Sequence, residues 1–275
     1  MPLPSHATRR TPPAAAALAL LLAPAAAGAQ LSVLGSTVHE HAVAPGQLAT
    51  GVVEVSNAGG TTQTARVYLT DYAFTADGTS DYAAPGTLRR SNAAWVALSE
   101  QRLVVPPRRT VLLRYTLRAP ADTALAGSYW SMLMVETAPN DARASRTGAV
   151  ALQATLRYGV QLVAHLPRPG AYGAEISPPR VLAAGGAEPR AVEFDLRNTG
   201  DRAYRPALTL ELFDDGGTSY GVFRRARGLL YPGTSLRQRF ALPDVPAAAR
   251  RAVILADAGD GQLFGADVTL PPAGP

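Results

Sequence analysis

The chain has no cysteine among its 275 residues, and arginine carries all of its basic charge because lysine is absent. Without cysteine there is no disulfide framework and no thiol nucleophile, so the fold must hold together by packing alone. Arginine without lysine, together with the richness in Ala and Pro, reads as base-composition bias and not as adaptation to a polyanion. No basic run is long enough to argue for nucleic acid. Gly-x-Ser-x-Gly and phosphate-cradling glycine loops are missing as well. The expectation is a protein that is not an enzyme and takes no cofactor or metal.

Long apolar runs are also absent, with one short exception at residues 14–27. That run is too short to span a bilayer. It follows Arg9 and Arg10 and ends in Ala27-Gly28-Ala29, the small-x-small pattern of a cleaved export signal. Residues 1–29 are therefore expected to be removed, leaving 246 residues that start at Gln30. The formal net charge of +5 falls to +3 once Arg9 and Arg10 are lost. A chain of this length suggests two domains. The destination implied is the periplasm, or alternatively the cell surface, with no integral membrane segment.

What is present is alternation. Apolar residues recur at every second position over short stretches, as in residues 52–55, 65–69, 111–117 and 207–213. Between them fall Asn57-Ala58-Gly59, Asp77-Gly78, Pro106-Pro107, Asn198-Thr199-Gly200, Asp215-Gly216 and Pro232-Gly233. Short alternating strands with regular turns predict an all-β chain built as a sandwich or barrel. The signals also recur in the same order in both halves. A strand meets an Asn-x-Gly turn, a second strand leads to Asp-Gly, and a Pro-initiated turn precedes a third strand. The first copy carries about twenty extra residues near positions 75–94. Two tandem immunoglobulin-like β-sandwiches are predicted, residues 30–167 and 168–275, divided at Leu166-Pro167-Arg168-Pro169-Gly170.

Residues 149–167 form the longest alternating stretch. Val150, Leu152, Ala154, Leu156, Tyr158, Val160 and Leu162 share one face, and Gln153, Thr155, Arg157 and Gln161 the other. As one strand it would span roughly 50–60 Å. The polar stretch before it, residues 138–148, reads as an exposed hairpin loop.

The exported two-sandwich layout, residues 104–114, Ala119-Pro120-Ala121-Asp122 leading into residues 129–136, and the long strand ending at Pro167 together resemble the PapD-like periplasmic pilus chaperones. The resemblance implies a chaperone or assembly factor whose last first-domain strand is lent to an exported β-rich subunit until an outer-membrane usher accepts it. It makes Val150, Leu152, Ala154 and Leu156 the donor residues. It also implies a basic pair that anchors the subunit's terminal carboxylate, with Arg157 in one of the two places. The first strand supplies no basic residue for the other, and His39 and His41 are nearest. A second resemblance, on residues 198–216 and 230–233, is to Ig-like domains of WxL-associated surface proteins. It implies a non-catalytic adhesion or wall-binding module.

Smaller signals remain. His39 and His41 share a strand face, and His165 near them could complete a zinc site; the plainer reading is an exposed pair at a strand end. Asp214-Asp215-Gly216 and Asp257 to Asp260 read as hairpin turns before calcium loops. Trp130, alternating with Met132 and Met134, is expected in the sandwich core, with Tyr129, Ser131 and Leu133 facing outward or toward the donor cleft. Trp95 is the less settled aromatic, core in one reading and surface in the other. Arg224, Arg225 and Arg227 read as a solvated turn.

Overall fold

The computed structural model describes residues 31–137, 155–168, 170–242, 245–246 and 248–271. The expected export signal, the loop at 138–148 and the donor residues Val150, Leu152 and Ala154 lie outside them. The first half holds strands β1 (Leu31–Leu34), β2 (Val38–Ala42), β3 (Leu48–Asn57), β4 (Gln63–Thr70), β5 (Ala73–Phe74) and β6 (Ser80–Asp81). It continues through β7 (Val96–Leu98), β8 (Arg102–Val105), β9 (Thr110–Arg118), β10 (Ser128–Thr137) and β11 (Arg157–His165). The second half holds β12 (Ala174–Ile176), β13 (Arg180–Leu182), β14 (Ala191–Asn198), β15 (Ala207–Phe213), β16 (Ser219–Ala226), β17 (Ser235–Ala241), β18 (Arg251–Asp257) and β19 (Leu263–Thr269). The chain is two immunoglobulin-like β-sandwiches in tandem.

In the first sandwich a sheet ordered β1-β3-β9-β7 faces one ordered β2-β11-β10-β4-β8. Alternation along each strand turns one set of side chains inward. Val53 and Val55 from β3, Leu113 and Tyr115 from β9, Leu133 and Val135 from β10, and Val160 and Leu162 from β11 fill the core between them. The opening strand is split between the two sheets. β1 pairs with β3, the chain turns at Gly35 with φ near +80°, and β2 then runs parallel to β11. That φ strains any residue with a Cβ.

The second sandwich repeats the plan in shorter form. Sheet β12/β13-β14-β17 faces β16-β15-β18-β19, around Phe194, Leu196, Leu208, Leu210, Phe240 and Ile254.

The clearest trace of repetition is a pair of buried asparagines. Asn57 donates its side-chain amide to the carbonyls of Thr61, Val105 and Pro106 and accepts the N–H of Gly59. Asn198 donates to the carbonyls of Arg202 and Leu230 and accepts the N–H of Gly200. Each side chain thus shapes its own Asn-x-Gly turn and ties it to the backbone just ahead of the Pro turn.

Two expectations are corrected. On β10 it is Leu133 and Val135 that enter the sandwich core, whereas Trp130, Met132 and Met134 occupy the opposite face. All are buried, because the second domain and neighbouring side chains cover what would otherwise be an outer surface. Arg224 and Arg225 lie on β16, an edge strand, and not in a turn.

Replacing Asn57 or Asn198 by Ala leaves several buried carbonyls without donors. Each variant is expected to lose about 2–3 kcal/mol of unfolding free energy, read from urea denaturation. A loss in only one of the two would contradict their equivalence.

Candidate binding edge and domain junction

β11 is the element on which the site depends, and its two halves differ. Its C-terminal half lies between β10 and β2, in register from Gln161 against Val38 to His165 against Ala42. Ahead of Gln161, β10 remains paired as far as Glu136 with Arg157, but no described strand is in register on the other side. The N–H of Gln161 donates to the carbonyl of Thr37, so odd-numbered residues turn their backbone groups toward β2. By the same parity those of Arg157 and Gly159 face the uncovered edge.

The apolar face of β11 emerges from the core along the same direction. Leu162 and Val160 are fully buried, Tyr158 is half-buried with its hydroxyl donating to the carbonyl of Leu31 at 2.5 Å, and Leu156 is 37% exposed. Arg157, on the other face, is paired with Glu136 at 2.6 Å; Glu136 also receives Arg66 at 3.1 Å and the Tyr68 hydroxyl at 2.8 Å.

The fixed half of β11 is bound to the second domain. Val163, Trp130, Ala203, Leu229 and Tyr231 form an apolar cluster across the junction. Trp130 stacks on Tyr231 at 4.6 Å with an interplanar angle of 18°, and its indole N–H donates to the carbonyl of Tyr72 at 2.6 Å. The Tyr231 hydroxyl donates to the Gln161 side chain, and burial raises its pKa far beyond the usual phenol range. A polar chain runs alongside. Arg205 pairs with Glu40 at 2.6 Å, Glu40 meets His165 at 3.0 Å, His165 meets the Ser128 hydroxyl at 2.9 Å, and that hydroxyl accepts the N–H of Ala203. At Gly127, with φ near +79°, a Cβ would come within 2.1 Å of the Asp201 carbonyl oxygen. Glycine is what lets the two domains approach there.

The extra residues of the first copy close the junction. Asp71 is fully buried and accepts the N–H groups of Gly86 and Leu88 and the hydroxyl of Ser91. It draws the excursion into a strap. Phe74 of that strap packs against both the junction cluster and the second core, and the N–H of Ala76 donates to Ser235 at 3.0 Å.

The histidines divide by strand parity. His39 and His41 both meet the hydroxyl of Tyr115, each at 2.8 Å, while His165 bonds Glu40, which faces the other way. One phenol hydroxyl donates to one imidazole and accepts from the other. Tyr115 is pushed up to about 12 by burial. Among the described residues no group of three His, Cys, Asp or Glu side chains is placed to hold a metal. Trp95 is half-buried and lies against Tyr129 at 4.7 Å, so it is not a free surface aromatic. Asp214 caps its turn by accepting the N–H of Thr218.

Sequence reasoning missed the junction set of Tyr231, Gln161, Arg90, Asp201 and Arg205. The one available signal was Tyr72 and Phe74, two aromatics just ahead of the extra residues of the first copy.

No family model matches this chain, and no curated protein sequence matches it. In fold it is similar to solved PapD-like fimbrial chaperones. One is the chaperone–tip adhesin complex of CFA/I fimbriae biogenesis, at 11% identity and a TM-score of 0.49 over 89% of this chain and 100% of that one. The class 5 fimbriae chaperone CfaA gives 12% and 0.47, over 88% and 99%. The CsuC–CsuE chaperone–tip adhesion subunit complex from Csu pili of Acinetobacter baumannii gives 14% and 0.42, over 86% and 98%. Similarity at this level concerns the path of the chain and not its partner. No helix of the described residues is long and apolar enough to cross a membrane.

Two groups make stability depend on pH in the same direction. Burial, and next the neighbouring His39, hold His41 below its ordinary value; the Arg205 guanidinium holds the Glu40 carboxyl below the usual range. Both bind protons more weakly folded than unfolded, so each contribution is complete above the unfolded pKa and is lost as pH falls through the folded one. His41→Gln is expected to flatten the decline in stability below about pH 6.5, and Glu40→Gln the decline below about pH 4.3. Urea denaturation across pH checks both.

Proposed function

We propose that this protein is a periplasmic chaperone or assembly factor that holds an exported β-rich subunit by lending it the free edge of β11. The observation that carries this reading is the graded exposure of one β11 face, from buried Leu162 to exposed Leu156, beside a backbone edge that β2 does not reach. In the sequence the alternation continues through Ala154, Leu152 and Val150. An extended partner segment laid along this edge would gain main-chain hydrogen bonds from odd-numbered residues and apolar contact from even-numbered ones. Val150, Leu152, Ala154 and Leu156 are the donor set. Arg157 is the basic group beside it, free to exchange Glu136 for an incoming carboxylate at small cost, because an exposed pair is worth about 1 kcal/mol or less. The subunit would pass onward to an outer-membrane usher. The protein binds and positions, and it catalyses nothing. The domains would divide as residues 30–167 and 168–275.

The wall-binding alternative requires this edge to be permanently covered within the domain. Between residues 156 and 160 no described strand covers it, which favours the chaperone.

Leu152→Glu with Leu156→Glu, in the tagged mature protein, is expected to abolish capture of a small exported β-protein from the periplasm while leaving circular dichroism and melting temperature unchanged. Exposed Leu156→Glu alone should change stability by no more than about 0.5 kcal/mol. An unfolded double variant, or undiminished capture identified by mass spectrometry, would contradict the proposal.

A further inference from the structure

A cavity of about 420 Å³ opens at the domain junction, lined from the first domain by Ala73, Leu88, Arg89, Arg90 and Trp130 and from the second by Arg197 with the turns 198–200 and 232–234. No residue of β2 or β11 lines it, so it is separate from the binding edge. None of the lining residues is acidic.

Three arginines thus line the cavity, two from the first domain and one from the second. Arg90 is only 7% exposed. It pairs with Asp201 and donates to the carbonyls of Ala126 and Ser128, yet its Nε is buried without a partner among the described residues. Arg197 has Glu175 only at 3.9 Å, through two exposed side chains. Arg89 has no ion pair among the described residues. Arg89 and Arg197 are exposed, so their mutual repulsion is modest and screened by salt. An anion between them reverses the sign of that interaction.

The shape of the site narrows the ligand. Guanidinium groups present a planar fork that matches a carboxylate. The remaining wall, Trp130 with Leu88 and Ala73, suits an apolar or aromatic body, and a volume of this size suits a small molecule. We propose that this cavity binds a small organic carboxylate with an aromatic or apolar body, held by Arg89 and Arg197 from opposite domains above Trp130. Binding would tie the two domains together at a second point, independently of the partner strand.

Benzoate is the probe, with benzamide as its neutral isostere, and the readout is the emission of Trp130 in a Trp95→Phe background. Benzoate is expected to give a saturable change with an affinity at least about tenfold above that of benzamide, a gap that narrows as salt is raised. Arg89→Gln with Arg197→Gln should weaken benzoate by at least about tenfold with no change in melting temperature, since both side chains are exposed. No saturable response to benzoate, equal affinity for benzamide, or undiminished binding by the folded double variant would overturn the proposal. The benzoate-to-benzamide comparison on the parent protein stands even if the double variant fails to fold.

Discussion

β2 pairs with β11 in parallel from Gln161 to His165 and goes no further. Where the two strands are paired, β11 is an interior strand whose backbone groups are all used. Ahead of Gln161 it becomes an edge among the described residues, with N–H and C=O groups on one side that no described strand satisfies. An unpaired edge beside an emerging apolar face is a liability in a protein with no use for it, and natural sheets ordinarily blunt such edges with charge or bulges. Here the even-numbered residues leading into the edge stay apolar, and the charge of Arg157 points to the other face. The split first strand produces this arrangement. Because β1 is committed to the opposite sheet by its pairing with β3, β2 is the only described strand that pairs with β11 on this side, and it stops at Gln161.

The second domain fixes the other half of the same strand. Of the forces at the junction, the partly exposed Arg205–Glu40 pair contributes about 1 kcal/mol or less. The stacked Trp130 and Tyr231 are both buried, and an aromatic pair adds about 0.5–1.5 kcal/mol beyond the area it buries. Packing of this pair therefore outweighs the partly exposed ionic chain through His165. The strap held by Asp71 adds Phe74 to the same cluster. The edge is thus presented by a strand anchored in two domains, so a captured partner would be held in a defined direction.

Much of the fold could be read from spacing. Residues 207–213 were expected to form a strand and do so as β15, and the two Asn-x-Gly turns carry the same hydrogen bonds in both sandwiches. Alternation gave the two faces of β10 but could not say which was core, because Trp130, Met132 and Met134 are as apolar as Leu133 and Val135. A strand buried on both sides has no polar face to orient it. His39 and His41 do share one face, but they are half-buried against Tyr115 and are not an exposed pair at a strand end. Placing His165 with them failed because it extends to the other side of the sheet, where Glu40 meets it. The junction was largely illegible, since it depends on Gln161 meeting Tyr231 and Arg90 meeting Asp201 across domains, and no local pattern encodes such a meeting.

Amide hydrogen exchange along β11, with and without a captured subunit, tests the central claim most directly. The account predicts rapid exchange at Arg157 and Gly159 in the free protein, slow exchange at Gln161 and Val163, and strong protection of the first pair once the partner is bound. Protection of Arg157 and Gly159 in the free protein, or exchange there that the partner leaves unchanged, would show that this edge is not where the partner binds.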